Sequence, residues 1–260
     1  MLKGKVAIVT GSTSGIGLGI AHAFGKEGVN LTINGFGDLD SINAEKKLLE
    51  DQYGIKVLYS PADMTKPSEI RKMVEETENT FGSVDILVNN AGIQNVQPID
   101  EFDDEKWDAI IAINLSSNFH TIKASSHGMK KRKWGRVINI SSVHGLIASP
   151  FKSAYIAAKH GVVGLTKAAS LDLAEFGITV NAICPGYVDT PLVRKQIPSQ
   201  AKEHGISESE VIDKVLLKEH FIKQFITIDD IASMVLFLCS DSGKTITGQA
   251  LAIDGGWSVH

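Results

Sequence analysis

Short runs of β-branched and other apolar residues recur along the chain at positions 6–10, 31–33, 56–59, 86–88, 137–140, 179–183 and 250–253, with polar or turn-forming residues around them. Each run predicts a strand, seven in all. Between them the apolar positions change to a spacing of three and four. Examples are Ile16, Ile20, Ala23 and Phe24, then Ile70, Met73 and Val74, then Val162, Val163, Leu165, Thr166 and Ala169. That spacing predicts amphipathic helices. Strands that are apolar on both faces and alternate with helices need cover on both sides. The expected fold is therefore α/β, a single-domain doubly wound parallel sheet of seven strands with helices on both faces.

The alternation lapses over 190–228, a polar, charge-rich stretch that keeps Val211, Val215 and Leu216 at helical spacing. A long excursion of this kind in a compact domain predicts a helical lid before the last strand. No low-complexity linker or repeat divides residues 1–260, so one domain is expected.

The 260 residues are 43% hydrophobic and 22% charged, enough apolar content to cover one large core. A net charge of -4 without a basic stripe argues against nucleic acid or an anionic membrane as partner. The one basic run, 130–136, reads as a solvated helix end and loop. Cys184 and Cys239 stand in apolar stretches, which predicts reduced core thiols in a cytoplasmic protein. No CxxC or HExxH occurs, so no metal is expected. The longest apolar run, 231–239, is too short to cross a bilayer, and no signal region precedes the first strand.

Candidate chemistry begins where the first strand ends, at Thr10-Gly11-Ser12-Thr13-Ser14-Gly15-Ile16-Gly17. A glycine-rich turn leading into a helix brings backbone close to a pyrophosphate and aims free N–H groups at it. The second strand runs into Asn34-Gly35-Phe36-Gly37-Asp38, where the adenosine ribose of a dinucleotide belongs. Asp38 and Asp40 would repel a 2′-phosphate, which favours NAD over NADP. Gly35 occupies the place of the usual ribose-binding carboxylate, and Phe36 is expected to pack against the adenosine.

Further along, Tyr155 and Lys159 form Tyr-x-x-x-Lys on one helix face, a pair able to handle a proton if positive charge lowers the phenol pKa. Alone the motif is weak. Ser142 strengthens it by following the 137–140 strand, at the carboxyl end where open α/β sheets bind ligands. Asn89-Asn90-Ala91-Gly92 closes the 86–88 strand, and Asn114 lies in the next helical segment.

In their order and spacing, the glycine-rich loop, Asn89-Asn90-Ala91-Gly92, Asn114, Ser142, Tyr155-x-x-x-Lys159 and Pro185-Gly186 resemble the short-chain dehydrogenase/reductase family along essentially the whole chain. The resemblance implies a Rossmann-type fold in which Tyr155 is the acid/base. Lys159 would lower its pKa and hold the nicotinamide ribose, Ser142 would orient the substrate, and Asn114 would maintain a water-linked proton relay. It further implies cofactor contacts by Gly11, Thr13, Ser14, Gly15, Ile16, Gly17, Phe36, Asp63, Asn90, Gly92, Tyr155, Lys159, Pro185, Gly186, Val188 and Thr190. Asp63 would meet the adenine, and Val188 and Thr190 the nicotinamide amide.

Gln94, His144, Lys152, Gln196 and Trp257, taken with Ser142 and Tyr155, are similar to the substrate residues of family members that act on a short 3-hydroxy acid. Such an acid has one small carboxylate that several donors must meet, and Lys152 contributes the charge. The activity implied is reversible, NAD-dependent oxidation of (R)-3-hydroxybutyrate to acetoacetate. Three alternatives stay open: an NADPH-linked reductase of carrier-protein-bound 3-oxoacyl groups, a sugar or polyol dehydrogenase, and a non-catalytic dinucleotide sensor. His22, His120, His127, His160, His204, His220 and His260 read as ordinary solvated residues. A homotetramer is the family expectation, with helices around 109–120 and 154–169 at one interface and the C-terminal strand at another.

Overall fold

The seven apolar runs pair into one all-parallel sheet in the order β3-β2-β1-β4-β5-β6-β7. The strands are β1 (Val6–Val9), β2 (Asn30–Asn34), β3 (Val57–Ser60), β4 (Ile86–Asn89), β5 (Gly135–Ile140), β6 (Ile178–Pro185) and β7 (Ala250–Ile253). The computed structural model describes residues 2–259, without the side chains of Leu192, Gln196, Ser199, Gln200, Glu203 and His204.

Because successive strand residues point to opposite faces, β1 splits its side chains between two cores. Ala7 and Val9 join Leu31, Ile33, Ile86, Val88, Ile138 and Ile140 on one face. That face is covered by α1 (Gly15–Lys26), α2 (Leu39–Tyr53) and, after β6, a helix at Ile228–Cys239. Ile8 faces the other way with Leu87, Val137 and Val180, under α3 (Pro67–Phe81), α5 (Ser117–Arg132) and α6 (Ser153–Leu173). Between α3 and α5, α4 (Asp104–Ile111) runs into a π-helical stretch, Ala112–Ser116, that carries Asn114.

Strand order reverses direction at β1, whose neighbours are β2 and β4. The gap this leaves between the carboxyl ends of β1 and β4 is where open α/β sheets bind their ligands.

The excursion after β6 folds as α7 (Pro191–His204), α8 (Glu208–Val211) and a π-helical stretch Ile212–Leu216, ahead of α9 (Ile228–Cys239). It has its own small core of Ile197, Val211 and Leu216, packed against Tyr187, Val193 and Phe225. A bridge between Val188 and Ile226 ties it to the segment after β6.

The basic run 130–136 departs from its expected solvation at one residue. Arg136 belongs to β5 and is buried, its guanidinium 4.6 Å from the Trp134 ring centroid and donating to the Gly135 and Gly177 carbonyls. Strand pairing, which the charge pattern does not encode, carries it inside. Cys184 and Cys239 are free and buried. No helix among the described residues is long and apolar enough to cross a membrane.

Candidate active site

A cleft of about 810 Å³ opens at the carboxyl ends of the strands. Into it converge Ser14, Gly15 and Ile16 after β1, Asn90, Gly92, Ile93 and Gln94 after β4, and Ser142 and His144 after β5. Lys152, Tyr155 and Lys159 enter from α6, Pro185 to Val188 and Thr190 from beyond β6, and Trp257 from the turn after β7.

At the β1 end the loop is held by side chains acting on backbone. The Asn90 amide donates to the carbonyls of Thr10 and Gly11, both at 2.9 Å, while the Thr10 hydroxyl accepts from the N–H groups of Asn90 and Ala91, both at 3.0 Å. Gly17 is required by close approach, since a Cβ there would collide with the Gly11 carbonyl and the Asn90 amide. Helix α1 starts at Ser14 without a side-chain cap, so its first N–H groups and their partial positive charge are free to serve the cleft. A turn with glycine at 11, 15 and 17 before an uncapped helix fits a dinucleotide pyrophosphate.

Beyond β2, Phe36 is 68% exposed and its carbonyl accepts from the Thr13 hydroxyl at 3.0 Å. The space that a side chain at Gly35 would need is filled by Thr13, whose Oγ1 lies 2.6 Å from the Cβ position. The Asp38 carboxylate caps α2, accepting from the Ser41 hydroxyl and N–H; these bonds hold it below the usual carboxylate range. Asp63 is turned to its own neighbours, accepting from the N–H and hydroxyl of Thr65 with Lys66 at 3.5 Å.

Ser142, Tyr155 and Lys159 come together as their spacing implied. Ser142 follows β5 in extended conformation and its hydroxyl accepts the His144 N–H at 3.1 Å. Lys159 is buried, donates to the Ile140 carbonyl at 2.8 Å and lies 5.5 Å from the Tyr155 ring. Burial brings its pKa down to about 8.

The positive charge expected to lower the Tyr155 pKa is that of Lys159 and an oxidised nicotinamide ring together; of these, the Lys159 ammonium lies 5.5 Å from the Tyr155 ring. Burial raises the phenol pKa, and only the facing Ser142 hydroxyl pulls in the other direction. The desolvation of a phenolate outweighs what the Ser142 hydrogen bond returns.

Asn114, buried on the π-helical stretch, spends both ends of its amide on one residue. Its Oδ1 accepts the Ile93 N–H at 2.9 Å and its Nδ2 donates to the Ile93 carbonyl at 2.8 Å. It thereby fixes the strip from Gly92 to Gln94 that forms one cleft edge.

Of the remaining residues expected at the substrate, Gln94, His144, Lys152 and Trp257 all line the cleft; the side chain of Gln196, on α7, lies outside the described residues. Lys152 precedes α6 and is half-buried; burial lowers its pKa, with no acidic partner among the described residues to oppose the effect. His144 is buried, its Nε2 bonded to the Ser149 hydroxyl at 2.8 Å. Burial first, then the charges of Lys152 and His160, push its pKa to about 4, so it is neutral at pH 7. Its ring meets Tyr155 and Trp257 edge-on, with centroids 6.2 and 5.3 Å away.

Two contributors were not among the residues expected from the sequence. Tyr187 stacks on Trp257 at 5.7 Å with ring planes 7° apart. His220, expected to be solvated, is fully buried and accepts the Tyr187 N–H at 3.2 Å. Tyr187 could have been found from its place beside Pro185-Gly186. Nothing local distinguishes His220, because its burial comes from loops distant in sequence.

Residues 5–201 match the model of the short chain dehydrogenase family. The chain is 55% identical over 256 residues to a D-beta-hydroxybutyrate dehydrogenase of Rhizobium meliloti, covering 98% of this chain and 99% of that protein. It is 50% identical to a D-beta-hydroxybutyrate dehydrogenase of Cupriavidus necator, covering 99% of each. Among solved structures, the L-sorbose reductase of Gluconobacter frateurii, complexed with NADPH and L-sorbose, superposes with a TM-score of 0.93 at 30% identity, over 98% of this chain and 97% of that one. The chain belongs to the short chain dehydrogenase family.

Proposed function

We propose that the protein catalyses the reversible, NAD-linked oxidation of (R)-3-hydroxybutyrate to acetoacetate. The observation that carries this reading is Lys152, a half-buried ammonium with no acidic partner among the described residues, which opens on the same cleft as Ser142 and Tyr155. A cation kept from water and left unpaired is suited to a substrate carboxylate, and neutral His144 and the Gln94 amide add uncharged donors. Gln196 belongs to the same set. The names carried by the two full-length relatives support the choice of acid.

In oxidation, Tyr155 acts as the phenolate, its Oη taking the proton of the substrate hydroxyl while the Ser142 Oγ donates a hydrogen bond to the same oxygen; in reduction the Tyr155 phenol gives its proton to that oxygen and is left as the phenolate. The phenolate, which burial alone disfavours, would be stabilised by the Lys159 ammonium beside it together with the positive charge of an oxidised nicotinamide when the cofactor is bound. Asn114 holds the Gly92 to Gln94 edge in register with these groups.

The turn residues Gly11, Thr13, Ser14, Gly15, Ile16 and Gly17 would hold the pyrophosphate of the cofactor. Phe36 and Asp63 would lie toward the adenosine, and Asn90, Gly92, Lys159, Pro185, Gly186, Val188 and Thr190 toward the nicotinamide half. When bound, the dinucleotide supplies the hydride acceptor or donor at its nicotinamide C4. NAD is favoured over NADP because 34–38 offers no cation to a 2′-phosphate and presents the Asp38 carboxylate instead.

The single domain 1–260 uses 190–228 as a substrate lid, anchored by its own apolar cluster. A homotetramer fits the exposed apolar side chains Trp107 and Phe119 on the α4–α5 stretch and Phe221, Ile222 and Val259 toward the C-terminal strand. Free thiols at Cys184 and Cys239 fit a reducing, cytoplasmic setting.

The test is an absorbance assay of NADH formation across short 2- and 3-hydroxy acids, both enantiomers of each, repeated with NADP. The expected result is that (R)-3-hydroxybutyrate with NAD exceeds every other pair by roughly tenfold or more in kcat/KM. Turnover no better than that of unrelated secondary alcohols would overturn the proposal.

A further inference from the structure

His220 stands in the polar excursion after β6 yet has no exposed surface. Its Nε2 accepts the backbone N–H of Tyr187, so the neutral ring carries its proton on Nδ1. The imidazole fits a slot between two glycines. A Cβ on Gly186 would lie 2.7 Å from Nε2, and one on Gly255 would lie 2.9 Å from Nδ1. No larger residue at either position leaves room for the ring.

The contacts join three segments that are far apart in the chain. The His220 ring lies 6.2 Å from that of Tyr187 and 5.7 Å from that of Trp257. The next two backbone N–H groups, of Phe221 and Ile222, both donate to the Gly255 carbonyl, at 2.8 and 2.9 Å. The excursion is thus pinned to the segment after β6 and to the turn after β7. Those two segments supply Tyr187 and Trp257, which stack on each other and line the cleft, with Trp257 edge-on to His144.

We infer that His220 is a positioning residue that, by accepting the Tyr187 N–H, holds the stacked Tyr187–Trp257 pair as a wall of the substrate cleft and so sets the affinity for the short 3-hydroxy acid. The inference rests on the substrate reading proposed above. The two rings meet the substrate rather than move its proton, so the effect belongs in KM and not in the chemical step. The backbone N–H of Tyr187 needs an acceptor inside a dry slot; without one, the least costly response is for the segment after β6 to shift toward water and carry Tyr187 off Trp257.

Two substitutions separate the acceptor from the bulk. His220→Gln places an amide oxygen near the site of Nε2, whereas His220→Leu fills the slot without an acceptor. His220→Leu is expected to raise KM for (R)-3-hydroxybutyrate roughly tenfold, with kcat within about threefold and KM for NAD within about twofold of wild type. His220→Gln is expected to restore KM to within about threefold. His220→Phe also lacks the acceptor and carries the same test if the leucine variant does not fold.

A second readout needs no substrate. In protein labelled with 5-fluorotryptophan, the Trp257 fluorine resonance, assigned with Trp257→Phe, is expected to move in His220→Leu and to stay near its wild-type position in His220→Gln. If wild-type protein does not oxidise 3-hydroxybutyrate, the substrate reading falls, and the resonance alone decides whether His220 holds the wall. An unmoved resonance or an unchanged acid KM in His220→Leu overturns the inference, as does a glutamine variant no better than the leucine variant.

Discussion

Replacing Asn114 by leucine, close to it in shape, removes two hydrogen bonds and little volume. Both bonds run to Ile93, at 2.9 Å to its N–H and 2.8 Å to its carbonyl. Each such bond contributes about 1 kcal/mol net, and water reaches the half-exposed Ile93 well enough to avoid the full penalty of a buried orphan. The loss is therefore about 2 kcal/mol, which for a chain of this size lowers Tm by roughly 4–8 °C. Thermal unfolding followed by circular dichroism reads it directly. Gln94, adjacent to Ile93, loses its fixed place, so KM for the acid should rise in the same variant. Asn114→Asp adds a check of sign. An ionised carboxylate keeps the acceptor for the Ile93 N–H but sets a negative oxygen against the Ile93 carbonyl, whereas the protonated acid restores a donor. Its folded pKa is therefore raised above the unfolded value near 3.9, so stability is fullest below about pH 4 and is lost as pH rises through the folded pKa. A Tm for Asn114→Leu within about 1 °C of wild type would refute the claim that this amide clamps the cleft edge.

Tyr155→Phe should lower kcat by roughly a thousandfold while NADH binding, followed by fluorescence, stays near normal; parallel loss of binding would assign Tyr155 to structure instead. Lys152→Ala should raise KM for the acid by roughly ten- to a hundredfold with a small change in kcat, and a near-normal KM would remove Lys152 from the carboxylate site. His144 is neutral in the fold with its pKa near 4, against about 6.5 when unfolded, so the unfolded chain binds more protons between those values. Stability should then fall as pH drops from about 6.5 to 4, by about 3 kcal/mol from this group, and His144→Gln should flatten that slope in urea titrations. An unchanged slope would show that His144 does not meet the pH change as a buried neutral ring.

The architecture was legible because alternation and helical spacing are local. Strands apolar on both faces, as at 6–9 and 86–89, need helices above and below, and the sheet has them. The turn at Gly11 to Gly17 and the set Ser142, Tyr155 and Lys159 were legible for a similar reason, since each sits at a strand end or on one helix face whose position follows from the alternation. Charge patterning misled at Arg136, which strand pairing draws inside, and residue type misled at His220, which closes a slot between glycines 186 and 255.

What the sequence by itself determined, then, was the order of elements along the chain and the parallel, doubly wound architecture, with Ser142, Tyr155 and Lys159 marked as the candidate proton-handling set; the strand order and its switch point came from the structure. The tertiary structure alone decided the electrostatics: a Tyr155 phenol raised by burial, a Lys159 brought to about 8, a His144 held neutral, and an Asn114 amide committed to Ile93. Periodicity is written in consecutive residues, but desolvation and hydrogen-bond partnership depend on which distant segments fold against a group, and no local pattern carries that information.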